Sequence, residues 1–237
     1  MDNNTVYEWI LQSTFTVPAR EKSLQSAKAH LSKLVHPGDE ILDLCCGSGF
    51  VAFWFEEQGA NVIAMDFAPY MIALAREGVA QRNSTVEFLE ADIFMQDFGQ
   101  ERFDLISCFG NSISDFPISD FAKLGKKIAR ALKPGGRFIL DYHDGSYDFM
   151  QGRGKREGVF QESPERITFH YKGYLPEIGA RVHIIRNETR WEEYERKGYI
   201  YTVPVVSLAL HDTLELSQHI ALDENHYLDV FAKTAQA

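Results

Sequence analysis

The chain predicts an α/β fold in which a parallel, doubly wound sheet is followed by a run of antiparallel strands. Three observations carry this expectation. Between residues 40 and 140, short apolar runs alternate with stretches of helical period. A glycine turn, Cys45-Cys46-Gly47-Ser48-Gly49, follows the first of those runs directly. Beyond Arg166 the pattern changes to period two, as in RITFHYKGY and ARVHIIRNETRWEEY, which suits antiparallel strands with one buried face.

Taken in order, Glu40 to Leu44 reads as a first strand and Phe50 to Gln58 as a helix that Gly59 ends. Asn61 to Met65 is a second strand closing on Asp66. After Pro69, the stretch Tyr70 to Gln81 places Met71, Leu74 and Ala75 on one helical face. Thr85 to Glu90 is a third strand ending near Asp92, and Phe103 to Cys108 a fourth. A helix over Asp120 to Leu132 is closed by LKPGG, which turns into a fifth strand, Arg137 to Asp141. In the tail, GYIYTVPVVSLAL, TLELSQHIAL and HYLDVFAKT also read as strands, with Val182/Ile184 and Thr189/Trp191 as the alternating pairs. Some of these strands complete the main sheet and others form a cover over its ligand edge. Ligands are expected outside the carboxyl ends of the parallel strands.

The bulk numbers fit this reading. A chain of 237 residues with 45% apolar and 13% aromatic content can bury a substantial core. The formal charge of −10 and the absence of a long basic run speak against a nucleic-acid partner. The one short basic cluster, residues 152–156, meets Glu157 at once and reads as a solvated loop. The start, MDNNTVYEWI, does not resemble a signal peptide, and no apolar run approaches the ~20 residues that span a bilayer. Three cysteines, two of them adjacent, suggest a reducing cytoplasm, and they lack the partners and spacing of a metal site.

The glycine turn must therefore hold something other than a metal. Gly47-Ser48-Gly49-Phe50-Val51-Ala52 satisfies the dinucleotide pattern G-x-G-x-x-G/A, and Asp66 stands where that pattern places its ribose acid. Asp43 tips the balance. A fixed carboxylate beside a diphosphate at ~4–6 Å costs roughly a few kcal/mol at an effective dielectric of ~20. S-adenosylmethionine has no phosphate there and presents an ammonium and a sulfonium instead. Asp66 then accepts from the ribose hydroxyls, and Asp92 from the adenine amino group, with Phe67 and Ile93 against the ring.

EILDLCCGSG, VIAMDFAPYMIALAR, FLEADI, FDLISCFGNSISDF and LKPGGRFILD, in this order and spacing, resemble the successive motifs of class I S-adenosylmethionine-dependent methyltransferases. The resemblance spans roughly residues 38 to 142. It implies a Rossmann-like sheet of seven mostly parallel strands with helices on both faces, plus the C-terminal antiparallel β cover. The whole pattern divides the chain into four expected segments: a helical cap or lid (1–37), the cofactor-binding core (38–145), a β-rich substrate cover (146–210), and strands completing the core sheet (211–237). Asp43 and the turn Cys45, Gly47 and Gly49 would hold the methionine part, and the Phe109 carbonyl would meet its amine. Met71 lies on the helix beside this site, and Arg20 would neutralise the cofactor carboxylate. CFGNS is similar to a stretch of glycine and sarcosine N-methyltransferases. A histidine those enzymes carry four residues after the asparagine is Asp115 here, and the helix they place before the final hairpin is not evident between Leu210 and Leu214.

Methyl transfer from a sulfonium needs alignment and exclusion of water more than a catalytic dyad. Asn111 follows the fourth strand and is placed to orient the acceptor, or else forms an Asx turn. Asp115 is an acceptor anchor or base, or caps the following helix. His143, after the fifth strand, is a base or substrate contact, or a structural histidine. Tyr7 and Trp9 close over the ligand or pack in the core. Tyr171 and Arg181 represent a tail rich in aromatics and arginines that lines an acceptor pocket or fills a strand interface. The function that follows is methyl transfer to a small molecule, an amine or amino-acid nitrogen first, by a monomer or homodimer with no membrane partner. Its rivals are an O-methyltransferase of secondary metabolism, a non-catalytic cofactor-binding protein, and an NAD oxidoreductase.

Overall fold

The computed structural model describes residues 16–151, 157–162 and 164–234, with the side chains of 16–23, 148–149 and 160–161 excepted. Tyr7, Trp9, the Arg20 side chain and the basic cluster 152–156 therefore lie outside the described residues.

The elements run α1 (Thr16–Leu31), β1 (Glu40–Leu44), α2 (Phe50–Glu57), β2 (Asn61–Asp66), α3 (Pro69–Arg82), β3 (Glu87–Glu90), β4 (Phe103–Cys108) and a 3₁₀ turn (Ser112–Asp115). They continue with α4 (Ile118–Ala131), β5 (Leu132–His143), α5 (Gly145–Met150), β6 (Glu157–Gln161), β7 (Ile167–Leu175), β8 (Ala180–Asn187), β9 (Glu192–Tyr199), α6 (Val203–Leu210), β10 (Leu214–Ala221) and β11 (His226–Lys233). Seven strands form the main sheet in the order β10-β11-β5-β4-β1-β2-β3. Strands β1 to β5 pair in parallel, and β11 runs antiparallel to both β5 and β10. A separate antiparallel sheet, β6-β7-β8-β9, is the predicted cover.

The apolar runs form buried parallel strands because helices cover both faces of the sheet. One core cluster packs Ile106, Phe138, Leu140, Tyr142 and Phe231 against α4 and α6. The other packs Ile41, Ala64, Ile139 and Val230 against α1, α2 and α3. Helix α4 buries Phe121, Leu124, Gly125, Ile128 and Ala129, a stripe at helical spacing. Gly125 is where α6 comes close, since a Cβ there would stand 2.5 Å from Leu210.

Three local expectations are corrected. The stretch TVPVVSLAL, read as a strand, is the helix α6: Thr202 caps it by accepting from Val205 N, and a proline sits in its first turn. Its β-branched residues follow strand propensity, but the cap and the packing against α4 decide the outcome. Thr189/Trp191 is not a strand pair. Trp191 lies in the β8–β9 turn at φ 59° and is 91% exposed. Strand β5 already begins at Leu132, the first residue of LKPGG, and the segment leaves the β4–β5 ladder between Leu132 and Arg137 as an excursion with Gly135 at φ 79°.

Candidate active site

Residue Asp43 is 1% exposed within β1. Its Oδ1 accepts from Ser107 Oγ at 2.7 Å, while its Oδ2 is buried with no hydrogen-bond partner. Burial, only partly offset by Ser107 and reinforced by Asp66 and Asp141, pushes its carboxyl up to about 7. Asp43 lines a cavity together with Leu24, Cys45, Cys46, Ser48, Phe50, Val51, Phe109, Gly110 and Asp141. A buried acid with one unpartnered oxygen fits a cationic ligand group, and the methionine ammonium of S-adenosylmethionine meets that requirement.

The turn that closes this cavity is shaped by three positive φ angles, at Cys45 (55°), Gly47 (55°) and Gly49 (87°). At Gly49 a Cβ would stand 2.5 Å from the Phe88 ring, so a side chain is excluded there by both conformation and space. Asp66, at the end of β2, fastens the turn: its Oδ2 accepts from Gly47 N and its Oδ1 from Ala68 N, each at 2.9 Å. An ionised carboxylate retains further lone pairs for ribose hydroxyls. The neighbouring Cys108 and then burial raise the Cys45 thiol well above the usual thiol range, which disfavours the thiolate.

The remaining cofactor candidates stand at the next strand ends. Phe67 is 40% exposed after β2, whereas Met71 and Ile93 are buried, Ile93 within a core cluster. Asp92 is exposed after β3 and uses its Oδ1 to accept from Phe94 N at 2.8 Å. Phe109 lines the cavity, and its carbonyl accepts from Ser112 Oγ at 2.8 Å.

On the acceptor side, a network sets Asn111. Its left-handed backbone (φ 57°) donates N–H to Asp141 Oδ1 at 3.2 Å, and its side-chain oxygen accepts from His143 N at 3.0 Å. Asp141 Oδ2 lies 2.9 Å from Nε2 of buried His226, whose ring stacks on His143 at 4.3 Å. Desolvation, then the neighbouring His226, lowers the pKa of His143 from its ordinary value. Sequence reasoning missed Asp141, Ser107 and His226. The signal for the first two was a polar residue inside an otherwise apolar run.

The cover sheet is tied to this mouth by charge. Asp115 Oδ1 accepts from Arg196 Nε at 3.0 Å and Nη2 at 2.5 Å, joining β9 to the 3₁₀ turn. Arg181 reaches the start of α5, its Nη2 3.4 Å from where a Cβ on Gly145 would stand. Cross-strand register puts Tyr171, His183 and Arg196 side by side, with Tyr174, Arg181 and Gly198 the next such set beyond a register shift in β7. The face that meets the site is thus aromatic and basic. Burial, then Arg181 and Arg196, pushes His183 down to about 4, so it stays neutral there.

Residues 41–136 match the family described as "Methyltransferase domain". A demethylmenaquinone methyltransferase of Thermus thermophilus is 39% identical over 103 residues, 42% of this chain and 45% of that one. A chloroplastic 2-phytyl-1,4-beta-naphthoquinone methyltransferase of Arabidopsis thaliana is 33% identical over 185 residues, 73% of this chain and 63% of that one. The chain thus spans less than two thirds of the length of these relatives. A crystal structure of an S-adenosylmethionine-dependent methyltransferase from Clostridium acetobutylicum shares the fold, with a TM-score of 0.73, 18% identity, and 98% and 97% of the two chains covered. The class I methyltransferase resemblance holds for the fold and the domain. These relatives lend no support to the narrower likeness to glycine and sarcosine N-methyltransferases.

Proposed function

We propose that this chain transfers a methyl group from S-adenosylmethionine to a small acidic molecule held between the ends of β4 and β5 and the inner face of the cover. The observation that carries the cofactor half is the unpartnered buried oxygen of Asp43 beside the glycine turn. S-adenosylmethionine, when bound, supplies an activated methyl on a sulfonium. The chain's own residues orient and enclose. Asp43 receives a cation, Asp66 holds the turn and a ribose, and Asp92 accepts from adenine. Asn111 is fixed by Asp141 and His143, so its amide NH₂ remains to orient an acceptor.

The acceptor half rests on the basic inner face of the cover in a chain of net charge −10. Arg181 and Arg196 favour an acceptor with a carboxylate or another ionised group. An amino-acid nitrogen meets that description. An acidic hydroxyl is the second reading, favoured by the lowered pKa of His143, which suits a neutral base at the mouth. Two of the relatives are named for quinone substrates, which adds weight to a ring-bearing acceptor. No helix among the described residues is long and apolar enough to cross a membrane.

The test is label transfer from methyl-tritiated S-adenosylmethionine to a panel of amino acids, aromatic hydroxy acids and reduced quinones. Product from an acidic acceptor, lost more in turnover than in cofactor affinity on Asn111→Ala, is the expected result. Tight cofactor binding with no labelled product across the panel would favour the non-catalytic rival.

A further inference from the structure

Lysine 127 stands on α4, outside every motif of the cofactor site, yet its side chain is committed to one loop of it. Its Nζ donates to the carbonyls of Ile93 (2.6 Å) and Phe94 (3.0 Å) and lies 4.5 Å from the Phe98 ring centroid. Those carbonyls belong to a single helical turn that begins at Asp92. Within it Met95 N and Gln96 N donate to the Asp92 carbonyl, and Phe94 N donates to Asp92 Oδ1. The ammonium of Lys127 thus caps two carbonyls of the turn that Asp92 opens, where a cation is favoured. Burial lowers the Lys127 pKa, while the Asp92 and Asp97 carboxylates act to raise it.

With Oδ1 taken by Phe94 N, the direction of Oδ2 is set by the geometry of this turn. We propose that Lys127 is a positioning residue for the adenine end of the cofactor: by holding the Ile93 and Phe94 carbonyls, it aims the Asp92 carboxylate at the exocyclic amino group. It makes no contact of its own with the ligand. Its effect is confined to the recognition of that amino group, so it governs the choice between adenine and a base carrying an oxygen there. This rests on Asp92 being the adenine acceptor, and the experiment separates the two ideas.

The experiment is calorimetric titration with S-adenosylhomocysteine and with S-inosylhomocysteine, in which the amino group is replaced by a carbonyl oxygen that a carboxylate repels. The wild-type chain should prefer the adenine compound by at least about tenfold, as a site built around a donor does. Lys127→Met should weaken S-adenosylhomocysteine by roughly five- to tenfold and leave S-inosylhomocysteine within about twofold, so that the preference collapses. Lys127→Arg, which keeps charge and donors, should restore it. Equal weakening of both ligands by Lys127→Met would reduce Lys127 to a structural residue and overturn the proposal. If Asp92→Asn keeps the wild-type preference, the adenine reading of Asp92 is wrong, whatever Lys127 does. Should Lys127→Met not fold, Lys127→Gln carries the same comparison.

Discussion

Asp43 is ionisable, buried and half-partnered, and a pH dependence follows from that. An acid whose folded pKa is raised from 3.8 to about 7 contributes its full stability below pH 4 and loses it as the pH rises through 7. The ligand-free wild type should therefore lose stability relative to Asp43→Asn between pH 4 and 8, by roughly 4 kcal/mol at most. Melting curves of both proteins across that range give the difference; a flat difference would mean that Asp43 is ionised at no cost. An ammonium placed against Oδ2 reverses the preference, so S-adenosylhomocysteine should bind more tightly at pH 8 than at pH 6. Binding at pH 6 should also release a proton, read as a dependence of the binding heat on the buffer. Asp66 behaves differently because both of its oxygens already accept from backbone amides. Asp66→Ala removes the ribose partner and the clasp on Gly47 together, and should weaken cofactor binding by ~1.5–3 kcal/mol. An unchanged dissociation constant would remove Asp66 from the site.

Two joints decide how the elements hold together. The first is the Arg196–Asp115 contact between β9 and the 3₁₀ turn, a half-buried pair. Arg196→Met should loosen the cover against the mouth, raising amide exchange in β8 and β9 while the affinity for S-adenosylhomocysteine stays within about twofold, since an ion pair of this exposure contributes about 1 kcal/mol or less. Unchanged exchange would show that Arg196 does not hold the cover. The second is the Thr202 cap of α6. Thr202→Ala should cost about 1 kcal/mol, a fall of roughly 2–4 °C in melting temperature for a chain of this size. These joints also mark what the sequence could and could not disclose. Strands β1 to β5 were legible because each is a short, largely apolar run that gives way to a turn or a polar loop. Asp43, Asp66 and the glycine turn were legible because they lie within one stretch. Ser107, Asp141, His226 and Arg196 act on partners 30 to 85 residues away, so no local pattern reveals them. Helix α6 was hidden by propensity: a run of valines looks like a strand until the cap at Thr202 and the close approach at Gly125 are seen.

At the scale of the molecule, the two sheets differ in how they are held. The main sheet has a large apolar cluster on each face, whereas the cover has Ile167 and Ile185 with Phe169 and Tyr194 packed beside them. Its strands are joined by salt bridges such as Lys172–Glu195 and Arg186–Glu193, whose exposed groups contribute little. The cover is therefore the region of low local stability, placed where, on the proposed function, an acceptor would enter and leave. Cofactor linkage sharpens the contrast. The proposed cofactor contacts come from the main sheet and its loops, so a ligand at 100 times its dissociation constant stabilises the core against global opening by ~2.7 kcal/mol. It adds nothing to a local opening of the cover that leaves those contacts intact. Native-state hydrogen exchange should then show slow amides in β1, β4 and β5 slowed about 100-fold further by saturating S-adenosylhomocysteine, while amides in β7 to β9 change by less than about twofold. Equal slowing in both sheets would mean that the cover opens only when the core does, and the acceptor would then need another way in.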